Sequence, residues 1–173
     1  VAGEQVTARL VAALAEEVLA LSAKIDEVSQ LIETRFQDHE LADVIGSLPG
    51  MGPLTGAEFL AATGGDMSVF GSADRLAGFA GLAPVPRDSG RVSGNLHRPQ
   101  RYHRRLQRAF YLAAFSSLRV SAESRRFYDR KRAEGKTHSQ ALLALARRRV
   151  NVLWALIRDR RHYRPPSSTS TAA

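Results

Sequence analysis

Cysteine is absent from this chain. Disulfides, thiol nucleophiles and thiolate metal sites are therefore excluded outright, and the composition fits a reducing compartment such as the cytoplasm. No stretch reaches the ~18 apolar residues that a membrane-spanning helix needs, so no membrane partner is expected, and the N-terminus lacks a signal-peptide pattern. Lysine is scarce, occurring only at Lys24, Lys131 and Lys136. Acidic residues are scarce in one half alone. Residues 1–80 hold four basic side chains against twelve acidic ones, a net of −8, whereas residues 81–173 hold 21 against five, a net of +16. The basic excess is almost wholly arginine, whose guanidinium forks suit bidentate contacts to phosphate. Such asymmetry points to a polyanion, nucleic acid above all, as the partner of the second half.

What is present suffices for one domain of ordinary size with a helical extension: 173 residues, 44% of them hydrophobic. From Glu4 to Ile45 there is neither proline nor glycine, and Val11, Leu14, Val18, Leu21, Ile25, Val28 and Ile32 follow one another in alternating steps of three and four. This is a heptad seam with β-branched residues at one position and mainly leucine at the other, the choice that suits a two-stranded parallel coiled coil. One long amphipathic helix packed on its own domain satisfies the same spacing. A break follows at Gly46–Pro53, then a short helix to about Thr63, stopped by Gly64-Gly65. Ser72 is placed to cap a helix to about Ala80, and Gly81–Pro99 reads as loop. An arginine-laced helix is expected over Arg101–Val120, another from Ser121 to near Gly135, and a last one from the Thr137/Gln140 capping box to about Arg161. No convincing strand or repeat is visible. The expected fold is all-α, with a coiled-coil or dimerisation helix over 1–45, a compact helical domain over 46–163 and a disordered tail over 164–173.

Five stretches carry candidate chemistry. Leu48-Pro49-Gly50-Met51-Gly52 between two helices reads as a helix-hairpin-helix, in which Gly50 and Gly52 let backbone N–H groups approach a phosphate; a plain interhelical turn with Pro53 at the first helical position is the alternative. The loop from Pro84 to Asn95 holds two Ser-Gly pairs, at Ser89 and Ser93, among Arg87 and Arg91. A serine on such a loop could swing to attack a phosphodiester while guanidinium groups stabilise the developing charge. Ser-Gly is also common turn chemistry, and the residues alone favour that reading. Arg98, Arg101, Arg104, Arg105 and Arg108 then form a basic run. The last four are spaced to share one helical face, a repulsive arrangement best tolerated opposite an anion. His97 and His103 lack a carboxylate cluster and read as nucleic-acid contacts or surface rather than metal ligands. Two further basic runs lie at Arg125–Arg132 and at Arg147-Arg148-Arg149, of which Arg147 and Arg148 are candidate phosphate contacts. Trp154 reads as core, on the apolar face made by Leu142, Leu145, Ala146, Val150, Leu153 and Ile157.

Taken together and in this order, these stretches resemble the C-terminal transposase domain of the insertion-sequence-one-ten family, the bridge-RNA-guided serine transposases. The resemblance rests on Leu48–Thr55, Phe70–Ala77, Gly81–Pro84, Arg87-Asp88-Ser89-Gly90, Arg104–Tyr111, Phe127–Lys136 and Arg147–Trp154, and covers about Leu41 to Pro165. The chain departs from many members at Tyr102-His103, where they have Gly-Asn. The resemblance implies a DNA transposase or recombinase working by transesterification, with Ser89 as the nucleophile that becomes joined to DNA and Ser93 as runner-up. It also implies DNA, a guide (bridge) RNA and further copies of the chain, as dimer or tetramer, as partners at the bacterial nucleoid. Family members carry a RuvC-like domain with four acidic metal ligands. The acidic residues here form no such set, so magnesium is expected in that domain and not on this chain, which would be a fragment or a truncation. A non-catalytic helix-hairpin-helix nucleic-acid-binding module, and a structural oligomerisation domain, are the competing readings of the same residues.

Overall fold

A computed structural model describes residues 2–86, 88, 90, 91, 93, 94, 96, 97 and 99–165. The alternating three- and four-residue spacing does produce a helix, α1 (Ala2–Gln37), but it stops eight residues short of the expected end at Ile45. Phe36 and Leu41 both turn into the core, and the chain between them folds back through His39, whose Nδ1 accepts the Leu41 N–H at 3.1 Å. A short helix, α2 (Ala42–Gly46), follows, then α3 (Pro53–Thr63), with Pro53 at its first position, where a missing N–H costs nothing. After a 3-10 turn at Met67–Val69, α4 (Ala73–Phe79) begins at Ser72, whose hydroxyl accepts the Arg75 N–H.

Two residues, Val85–Pro86 (β1), pair antiparallel with Leu96–His97 (β2), Val85 opposite His97 and Pro86 opposite Leu96. This small pair was not visible in the sequence, since two residues cannot show a period. Three helices complete the chain: α5 (Arg104–Val120), α6 (Ala122–Ala133) and α7 (His138–Arg158). Ser121 caps α6, and Thr137 with Gln140 forms the reciprocal capping box of α7. The architecture is all-α. Among the described residues no helix is long and apolar enough to cross a membrane. Of the tail 164–173, residues 166–173 lie outside the described set.

The core forms where α5 crosses α7, with α3, α4 and α6 packed around the pair. Leu106 and Phe110 of α5, and Leu142, Val150 and Leu153 of α7, are fully buried. Phe59 of α3 meets Phe110 edge-on, ring centres 5.9 Å apart and planes at 81°, the geometry that aromatic quadrupoles prefer. Trp154 is half-buried against this core. The helix α1 joins it only at its C-terminal end. There Phe36 lies over Gly56 of α3, so closely that a Cβ at Gly56 would sit 2.5 Å from the ring. The heptad seam from Val11 to Ile32 is exposed throughout, Val11 by 60% and Leu21 by 60%. Among the described residues, none packs along the seam from Val11 to Ile32.

Candidate nucleic-acid interface

The serine-bearing loop stands on a stem built by the end of α4 and the start of α5. Gly81 closes α4 with φ +68°, a left-handed conformation that glycine adopts without strain. A Cβ there would lie 2.4 Å from Cγ of Tyr102, so only glycine lets the outgoing and returning strands meet. The His103 N–H donates to the Phe79 carbonyl at 2.8 Å, and Gln107 Nε2 donates to the Gly81 carbonyl at 3.0 Å. Phe79 and His103 stack, ring centres 5.2 Å apart. Tyr102 and His103, the two residues that depart from the family pattern, are thus part of the stem. The segment 82–101 leaves and re-enters the bundle at one place, and the β1–β2 pair extends the stem outward. The connection 87–95 holds both Ser-Gly pairs. Ser93 and Arg91 are exposed, and Gly90 and Gly94 adopt φ values of 47° and 81°. Ser89, Arg87 and Arg98 lie outside the described residues.

Positive charge is concentrated beside this stem. Helix α5 begins at Arg104 rather than Arg101, because His103 is its N-cap, with Nδ1 accepting the Leu106 N–H at 3.1 Å. Arg101 therefore precedes the helix and does not share the face of Arg104, Arg105 and Arg108, and His103 has a capping task not foreseen from sequence. The first turn of α5 contains no acidic residue. Arg104 and Arg105 occupy it instead, where the partial positive charge of the helix end opposes them. Arg101, Arg104 and Arg105 are exposed and engage no carboxylate among the described residues. Arg108 is loosely placed against Glu58, 3.8 Å away and 70% exposed. An anion docked here would relieve repulsion among Arg101, Arg104 and Arg105 that no carboxylate among the described residues relieves.

The remaining candidates lie elsewhere. Gly50, with φ +81°, packs on the middle of α5: a Cβ would sit 2.4 Å from the Ala113 carbonyl oxygen and 2.6 Å from the Ser117 nitrogen. That contact explains its glycine without a ligand, whereas Gly52, the N-cap of α3, opens to solvent. Gly50 meets α5 some nine to thirteen residues beyond Arg104, roughly 13–20 Å along the helix at 1.5 Å per residue, so the glycine turn and the stem are separate places. Arg147 bonds Asp74 of α4 and also Asn151, and Arg148 bonds Glu123 of α6 at 2.7 Å. Both guanidinium groups tie α7 to its neighbours.

Arg149, which sequence reasoning passed over, is only 4% exposed. Its Nη2 donates to the Pro49 carbonyl, and burial pulls its pKa down to about 10. The clue was its register, four residues from both Leu145 and Leu153 on the buried face of α7. Among the described residues there is no group of three or more His, Asp and Glu that could hold a metal ion.

Known proteins resemble the chain over nearly its whole length. The chain is 61% identical over 172 residues to the insertion element IS900 uncharacterized 42 kDa protein of Mycobacterium paratuberculosis, covering 99% of the chain and 43% of that protein. It is 52% identical over 171 residues to the insertion element IS116 uncharacterized 44.8 kDa protein of Streptomyces clavuligerus, covering 98% and 43%. It is 30% identical over 142 residues to the pilin gene-inverting protein of Moraxella bovis, covering 79% and 43%. The chain thus spans less than half the length of these relatives. Residues 42–129, from α2 through the stem and basic helix to α6, match the family model, and the chain belongs to the transposase IS116/IS110/IS902 family.

Proposed function

We propose that this chain supplies the serine nucleophile of a DNA transposase or recombinase, with Ser89 attacking a DNA phosphate and Ser93 as the second candidate. The observation that supports it most is the pinned stem, which carries the chain into and out of the Ser-Gly connection and adjoins Arg101, Arg104 and Arg105, exposed and without a carboxylate among the described residues. In the step envisaged, the serine oxygen bonds to phosphorus while the bond from phosphorus to one deoxyribose oxygen breaks, and that oxygen leaves with a proton. Attack by a deoxyribose hydroxyl of a second end then forms the new phosphodiester and returns the serine. Guanidinium groups beside the loop stabilise the charge that gathers on the phosphoryl oxygens.

A serine hydroxyl is a weak nucleophile until a base or metal takes or polarises its proton. That activation is assigned to a RuvC-like domain outside this chain, with its magnesium, and the choice of target to a guide RNA. The exposed seam of α1 is read as the surface through which copies of the chain associate. In a system reconstituted with that domain, guide RNA and magnesium, denaturing gels should show DNA covalently joined to the protein. Ser89→Ala should abolish the adduct and Ser93→Ala should leave it. The reverse pattern moves the nucleophile to Ser93. DNA binding with no adduct for any variant favours a non-catalytic nucleic-acid-binding module instead.

A further inference from the structure

At the far end of α5 from the serine loop, α6, α7 and the returning C-terminal segment line an open cavity of about 190 Å³. At ~30 Å³ per water this is room for about six waters, or for a tetrahedral oxyanion with part of its shell. Its wall includes Glu123, Ser124, Phe127, Arg148, Arg149 and Tyr163. Glu123 is fully engaged: one oxygen accepts from Arg148 Nη2 at 2.7 Å and the other from the Tyr163 hydroxyl at 2.9 Å. Tyr163 is itself fixed, its N–H donating to Ser47 Oγ at 2.9 Å.

Arg149 is the unbalanced member. It is 96% buried, and among the described residues it forms no ion pair, donates one hydrogen bond, to the neutral Pro49 carbonyl, and leaves its Nε buried with no partner. A guanidinium desolvated in this way is costly unless an anion joins it. The cavity walls, with two arginines against one carboxylate, carry a net charge of +1. Outside, Phe127 is surrounded by cations, with the charged groups of Arg130, Arg148 and Lys131 lying 5.2, 5.3 and 5.7 Å from its ring centre. Arg130 and Lys131 are paired with Glu134, and Arg148 with Glu123, so the positive charge left uncompensated here among the described residues is that of Arg149 on the cavity wall. Neutral hydroxyls of Ser124 and Tyr163 lie beside it.

We propose that this cavity receives one phosphate group, held by Arg149 and Arg148, as an anchoring site apart from the serine loop. Two sources share that chemistry, a nucleic-acid backbone and free phosphate. The first rests on the reading that the chain acts on DNA.

The test follows the Arg149 Nε–H signal in a ¹H–¹⁵N spectrum of this chain, assigned by its loss in Arg149→Lys. Inorganic phosphate added at constant ionic strength against chloride should shift that signal to saturation. Arg148→Gln and Ser124→Ala, which keep Arg149 in place, should weaken the phosphate response several-fold. A short DNA duplex should shift the same signal, and Arg148→Gln should lower the salt slope of duplex binding by roughly one. If phosphate moves the signal and bound duplex does not, the site stands and its source is free phosphate. If phosphate moves it while duplex fails to bind at any salt, the site stands and the DNA reading falls. If neither moves it, or both single variants respond like the parent, the proposal is overturned and Arg149 is only a strut for the glycine turn.

Discussion

Helices α1 and α5 carry the same kind of pattern and meet opposite fates. Over 36 residues α1 buries essentially Phe36 alone, while α5 buries Leu106, Ala109, Phe110, Ala113, Ala114 and Ser117 within 17. Both have apolar residues at helical spacing, so periodicity specifies a face without saying what covers it. For α5 the cover is α3 and α7 of the same chain. For α1 no part of the described chain supplies one, and a row of exposed Val, Leu and Ile of this length is more than scattered surface apolarity, which is why it is proposed as the surface of association. An isolated helix draws little stability from propensity alone and needs tertiary contacts. The bundle should accordingly stand by itself, and α1 should depend on association.

Four perturbations would break or sharpen this contrast. The largest effect is expected from Leu21→Lys with Ile25→Lys. Burial of each such side chain contributes about 1.5–3 kcal/mol, so losing four per dimer removes roughly 6–12 kcal/mol of association. Sedimentation should then show monomers with an unchanged melting transition for the bundle; a parent chain that is already monomeric at high concentration would end the idea of a self-associating seam. Next, Phe110→Ala should cost about 3–5 kcal/mol in denaturant unfolding, through lost burial and a cavity beside Phe59. No loss of that kind would place the stability centre elsewhere.

Gly81→Ala is smaller, roughly 1–3 kcal/mol from the positive φ and the clash with Tyr102, and it should perturb the stem amides more than those of α6. Equal perturbation throughout would mean that the stem is not a separate unit. The smallest is Asp159→Asn. Arg158 and Arg161 beside Asp159 hold its carboxyl at a pKa of about 2, below the usual value. Its contribution is thus present at neutral pH and lost as pH falls through the range from about 4 to 2. A slight drop in Tm at pH 7 that closes near pH 2 is expected; a constant difference would exclude the ion pair as its source.

Much of the fold was readable because local chemistry announces it. Ser72, Ser121 and Thr137 with Gln140 marked three helix starts that occur as read. The end of α1 was missed because Asp38-His39-Glu40 contains no proline or glycine, and the break depends on Phe36 and Leu41 finding the same core. Likewise the start of α5 at Arg104 depends on the imidazole of His103 serving as a cap, a role usually filled by Ser, Thr, Asp or Asn. The candidate site was legible as a glycine- and serine-rich loop before a basic helix. Its division into stem and loop was not, since it rests on contacts between residues such as Gly81 and Tyr102, far apart in sequence. Arg147, Arg148 and Arg149 show the same limit most sharply. Three identical neighbours become a tie to α4, a tie to α6 and a buried unpaired charge, according to which face of α7 each occupies.

The stem has a consequence for how such a chain evolves. Because Gly81 and Tyr102 pack against each other, the chain that connects β1 to β2 starts from a closed neck, and the packing of the bundle does not depend on the length of that connection. Closure entropy grows only logarithmically, so doubling a loop costs about 0.6 kcal/mol, far less than one lost core side chain. Insertions, deletions and new side chains could accumulate at the tip while the helices beneath keep their packing. Selection is thereby free to rework this serine- and arginine-bearing connection without renegotiating the fold.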